Sequence, residues 1–189
     1  MKNEYRGMNP NPDDIDAVCK SMRGTVEFVG SNLDPDEDWM PVLVCFGDQP
    51  TIIGIPMLGQ PELKDMMAQT VIPDTIKQAK PDFVALVTMG WMVQYNTNTL
   101  EGTAAMMRDE AKYAPGNIAD RPHKEEVVTV YVVSKNGEER QDMAYVHRHP
   151  TLHPTLQWRD DISQQSKAEG RFPDGLRAGM EQAWKGGGK

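Results

Sequence analysis

The stretch EEVVTVYVVSKNGEERQDMAYVHRH, residues 125–149, decides how the chain folds. Two β-rich runs flank Asn136-Gly137, the preferred pair for a two-residue hairpin turn. That turn sets a register in which Lys135 faces Glu138, Val130 faces Met143 and Val128 faces Tyr145. Glu126 then faces His147, Glu125 faces Arg148 and Lys124 faces His149. Alternate residues of a strand share a face. His147 and His149 therefore point the same way, with Glu126 beside His147.

Outward from the hairpin, the apolar run DFVALVTMGWMVQY (82–95) reads as a central strand, and PVLVCFGDQPTIIGIP (41–56) as a second hairpin around Gly47-Asp48-Gln49-Pro50. Between them QPELKDMMAQTVIPDTIKQAK has helical spacing, with Pro73 expected to kink or restart the helix. Near the N-terminus, NPDDIDAVCKSMRG is punctuated as a helix. Asn11 is placed to cap it, Pro12 to open it, and Asp13 and Asp14 suit the positive N-terminal end. Ile15, Val18, Cys19 and Met22 form its stripe, and Gly24 is expected to end it. PDGLRAGMEQAW carries Leu176, Met180 and Trp184 on one side of a short C-terminal helix.

These elements predict a single α+β domain. Its sheet is mostly antiparallel, with about five strands in the order β-β-α-β-β-β. The 61–80 helix lies on one face and the two terminal helices at the periphery. Residues 41–159 form the core, and 96–122 are a long insertion with one helix near 100–112. Residues 1–10 are expected to be flexible, and 160–189 to be a polar loop, a short helix and a frayed tail.

The chain has 189 residues, a formal charge of −8 and a pI near 5.0. Its 20 basic residues are scattered. This argues against a clustered cationic surface of the kind nucleic acid requires. No apolar stretch approaches the length of a membrane helix, and the N-terminal MKNEYRGMNPNPDD lacks the apolar segment of a signal peptide. Cys19 and Cys45 read as reduced thiols of a cytoplasmic protein. Thirteen methionines read as adaptable core filler.

Apolar residues ending in Gly90-Trp91-Met92-Val93, the later Arg121-Pro122 and Glu125-Glu126, and the Val-rich hairpin ending in Arg148 resemble a family. It comprises small uncharacterised proteins of bacterial and bacteriophage genomes with no established activity. The likeness spans roughly the middle half of the chain. It implies a prokaryotic or phage setting, the cytoplasm of a bacterial or infected host cell, and with no established activity it carries over no catalytic residues.

Three of the four histidines fall in YVHRHPTLHPTLQW (145–158). His147, His149 and Glu126, with His153 beyond the Pro150 turn, supply ligand types for zinc or another divalent ion. The spacing matches no strong zinc signature. Cross-strand ion pairs at a strand end, Glu126 with His147 and Glu125 with Arg148, account for the same residues. The repeated His-Pro-Thr is too closely spaced to flank one phosphate. DPDEDW (34–39) lacks the glycine and the last acid of a calcium loop and reads as a solvated acidic loop. Trp39, Trp91, Trp158, Arg148 and Glu125 remain as ligand or interface candidates. The leading reading is a non-enzymatic accessory protein that binds a protein or small ligand, with no cofactor and possible homo-oligomerisation. A metal-dependent hydrolase at His147, His149 and Glu126 is the alternative, and a virion structural component the second alternative.

Overall fold

The computed structural model describes residues 13–48, 50–55, 61–113, 118, 120–159 and 171–185. The hairpin that governs the fold is present, with a different turn. Strands β4 (Glu125–Ser134) and β5 (Glu139–His149) pair antiparallel with Val130 opposite Asp142 and Val127 opposite Tyr145. The loop has three residues, Lys135, Asn136 and Gly137. Gly137 carries φ +82°, and its N–H donates to the Ser134 carbonyl (3.0 Å). This is a turn closed by a left-handed residue, which glycine adopts without Cβ strain. Ser134 fixes it further: its hydroxyl oxygen accepts the Glu138 N–H at 3.0 Å. The register is one residue away from the two-residue expectation. A shift of one exchanges which residues of β5 share a face with β4. Asp142, Ala144 and Val146 thus stand with Val128 and Val130.

The sheet has six strands in the order β2-β1-β3-β4-β5-β6, antiparallel throughout. The others are β1 (Val42–Phe46), β2 (Thr51–Gly54), β3 (Phe83–Met92) and β6 (Leu152–Arg159). The α+β class holds, with β6 added to the five expected strands. β6 contains Pro154, which has no N–H for a ladder and is tolerated because β6 is an edge.

Both faces of the sheet are covered. On one, helix α1 (Ile15–Gly30) lays Val18, Cys19, Met22 and Val26 against Val44, Phe46, Ala85, Val87, Val128 and Val130. Helix α1 is therefore a full layer rather than peripheral. It also runs through Gly24, because Val26 and Val29 extend the same stripe and the Gly24 site is open. Asp14 caps the helix by accepting the Ala17 N–H (2.7 Å). Asn11 and Pro12 lie outside the described residues, as do 1–10, 160–170 and 186–189.

On the other face, helices α2 (Pro61–Met66) and α3 (Ile72–Ala79) flank a π-helical turn, Met67–Val71. The wide turn immediately precedes Pro73, whose ring has no N–H to give and would crowd a regular preceding turn. Ile72 and Ile76 pack with Leu43, Cys45, Val84, Leu86, Tyr131 and Val133. Helix α4 (Leu100–Lys112) lies in the insertion, and the C-terminal helix α5 (Arg171–Lys185) adds Leu176 and Met180 to this core. It comes so close that a Cβ on Gly175 would run into the Ala68 carbonyl oxygen. Helix α4 (Leu100–Lys112) occupies the 96–122 insertion as expected, with Thr99 as its cap and no buried residue. No helix among the described residues is long and apolar enough to cross a membrane.

Asp142 is wholly buried. Its carboxylate accepts from Arg23 Nε (2.6 Å) on α1 and Arg140 Nε (3.3 Å), and Arg140 also reaches Asp16. Removing one member of a buried pair strands the remaining charge. Asp142→Ala is expected to lower unfolding stability by about 3–5 kcal/mol. Gly137→Ala, which only forces a left-handed Cβ, is expected to cost about 1–2 kcal/mol. Urea titration of both variants checks the order.

Candidate functional site: a cleft walled by the acidic loop

The loop joining α1 to β1, residues 31–41, carries Asp34, Asp36, Glu37 and Asp38, four like charges in one short segment. One cation holds it. Arg148 on β5 forms a bidentate pair with Glu126, Nε at 3.0 Å and Nη2 at 2.7 Å. Nη2 also donates to Asp38 (2.6 Å), and Nη1 to the carbonyls of Pro35 (3.1 Å) and Glu37 (2.6 Å). All five guanidinium donors are used, a geometry lysine could not supply. The Glu126 hydrogen bonds, more than any other group, hold Arg148 above the ordinary guanidinium value. His153 adds a second tie, its Nδ1 lying 2.5 Å from the Leu33 carbonyl oxygen.

Trp39 anchors the loop from inside. It is 2 % exposed, and its indole N–H donates to the Val26 carbonyl (3.0 Å). Gly30 makes room for its ring: a Cβ there would stand 2.5 Å from Trp39 Cζ2. Between the loop, α1 and the sheet lies a cleft of about 520 Å³. Met22, Val26, Trp39 and Val87 line its buried part, while Phe28 and Met40 are exposed beside it. Thr25, Asn32, Glu37 and Asp38 are its polar lining. Its size and apolar character match sites for small molecules.

The structure divides the residues singled out from sequence. Trp39 lines the cleft and Arg148 fixes its wall. Glu126 and Arg148 are on the α1 side of the sheet, whereas His147 is on the opposite side, where its Nε2 lies 3.0 Å from Gln157 Oε1. The expected neighbours, Glu126 with His147 and Glu125 with Arg148, are therefore both replaced, because the turn holds one residue more. His149 Nδ1 instead accepts the Thr151 N–H (3.3 Å). Together with His153 on Leu33, the three histidines have separate partners. Among the described residues no group of three or more His, Cys, Asp or Glu could hold a metal ion. Glu125 is exposed at the start of β4. Trp91 pairs across the strands with Glu126, and Lys124 lies 4.8 Å from its ring centroid. Trp158 packs on the α1 core, donating to Glu27 (2.7 Å) beneath the Arg23 guanidinium (4.8 Å).

Sequence reasoning missed the cleft, whose lining joins α1, the loop after it and β1 to Val87 of β3. It also missed the Asp142 cluster, although an aspartate inside an alternating strand was a visible signal. Comparison of the chain with protein-family models, curated proteins and solved structures gave no match.

Both cysteines are buried in the two cores, Cys19 on the α1 side and Cys45 on the other. Burial pushes both thiols up to about 12, and at Cys19 the Asp142 carboxylate adds to the effect. Folding keeps protons that the unfolded chain releases near pH 9, so this contribution is full below about pH 9 and falls as pH rises toward 12. A thiol reagent at pH 8 should label neither cysteine until denaturant is added. The urea midpoint should fall above pH 9, less so in Cys19→Ala/Cys45→Ala.

Arg148→Ala leaves Glu126 unpaired and releases the loop. The expected cost is about 2–3 kcal/mol, with faster amide hydrogen exchange confined first to residues 33–41. Unchanged exchange there would show that Trp39 and His153 hold the loop without Arg148.

Proposed function

We propose that the protein is a non-enzymatic binding protein that takes a small apolar ligand, uncharged or cationic, in the cleft between α1 and the acidic loop. The observation that carries this reading is the cleft itself. Its apolar walls reach residues of the α1 core, and two large apolar side chains, Phe28 and Met40, are exposed beside it. An apolar ligand gains by leaving water there. The charge preference follows from Glu37 and Asp38 in the lining and from the net charge of −8, both of which repel anions. The wall is preorganised by Arg148, so binding need not order a floppy loop. A cytoplasmic location belongs to the same proposal, since two buried, unpaired thiols suit a reducing compartment. The prokaryotic or phage setting rests on the resemblance of the hairpin region.

Methyl NMR tests this directly, because Met22 and Met40 line the cleft and Met180 lies in the opposite core. Titration with a dodecylammonium salt below its micellar concentration should shift Met22 and Met40 saturably, with Kd about 10–100 μM, and leave Met180 in place. Val29→Trp, which fills the cleft, should abolish the shifts without lowering Tm by more than a few degrees. No saturable shift, or equal binding by the filled variant, overturns the reading. Dodecyl sulfate should bind at least about tenfold more weakly if the acidic rim selects charge.

A further inference from the structure

Helix α4 turns one side toward the chain that precedes it. A Cβ on Gly102 would run into the Asn96 carbonyl oxygen, and Asp109 accepts the Tyr95 hydroxyl (2.5 Å). At about 100° per residue, Leu100, Ala104, Met107 and Ala111 lie on the opposite side. Leu100 is 93 % exposed and Met107 61 %. Their spacing of four, three and four residues is the seam spacing of a coiled coil. Glu101 and Arg108, both exposed, run along one flank of this seam. Neither side chain has a hydrogen-bond or ion-pair partner among the described residues.

We propose that this face is a two-fold interface between two copies of the chain, with α4 packed antiparallel against α4 of the second copy. An antiparallel pair centred between Ala104 and Met107 sets Leu100 against Ala111 and Ala104 against Met107. Every layer then meets large with small, which lets the layers interlock. The same alignment sets Glu101 beside Arg108 of the second copy, and two-fold symmetry repeats the pair. A parallel alignment stacks Leu100 on itself and Ala104 on itself, and brings Arg108 to Thr103 instead of an acid. The seam is thus complementary to its own reverse, in shape and in charge. Four layers on a single helix cover less than the roughly 1,200 Å² of a stable interface, so the dimer is weak and concentration-dependent.

Sedimentation of the full chain from about 10 μM to 1 mM should show the mass rising from 21.2 kDa toward twice that value. Arg108→Glu and Glu101→Arg should each weaken association about tenfold, since each turns attraction into repulsion. The double reversal, E101R/R108E, should restore it. So should an equimolar mixture of the two single variants, in which both flanking pairs are again complementary. Met107→Ser should weaken association without touching charge. All of these sites are exposed, and far-UV circular dichroism checks that each variant keeps its helices. A monomer at every concentration overturns the proposal. So does a dimer that the single reversals leave intact, or single-variant defects that the mixture fails to repair.

Discussion

Gly137 in its left-handed turn fixes the side of the sheet on which each charged residue of β4 and β5 stands. Because the loop holds three residues, Glu126, Asp142 and Arg148 all face α1. Charges placed there lie against an apolar layer and must be neutralised by partners. Asp142 finds Arg23 and Arg140, and Glu126 finds Arg148. A two-residue loop would have turned β5 over relative to β4 and separated these pairs.

Helix α1 is consequently fastened in two different ways. Its apolar stripe supplies most of the burial, which is non-directional and would tolerate small shifts along the sheet. The Asp142 cluster and the Glu27–Trp158 hydrogen bond are directional, and they fix the helix against β5 and β6. Such buried charges add little net stability compared with apolar residues of the same volume. Their contribution here is position. They hold α1 where the floor of the cleft needs it.

The acidic loop depends on the same arrangement. Four carboxylates in residues 34–38 repel one another and would favour an open, solvated segment. Arg148 reverses this by collecting Asp38, two loop carbonyls and Glu126 around one guanidinium, while Trp39 buries the end of the loop. The wall of the cleft is therefore a segment of unfavourable composition held by one guanidinium, one indole and one imidazole. It is firm where they act, and its outer carboxylates remain exposed beside the cleft. The opposite face of the sheet is built otherwise, by close apolar contact of α3 and α5.

Much of the fold was legible in the order of residues. The alternation and apolar runs of 41–56, 82–95 and 125–149 specified strands. The 3.6-residue spacing of 61–80 and 173–184 specified helices, and Pro73 marked its own disturbance of the first. These are local preferences, set by backbone sterics and by periods that neighbouring residues carry. The covering of the second face by α1, the extra edge strand with Pro154, and the hairpin register were not local. Asn-Gly fits turns of two and of three residues, and the difference rests on Ser134 and on which partners the strand faces then meet. The site followed the register. Trp39 and Arg148 could be singled out by type, but Glu125, Glu126 and the histidines were assigned to the wrong neighbours. A slip of one residue leaves every strand intact and exchanges its faces, so only tertiary packing could decide which charges meet.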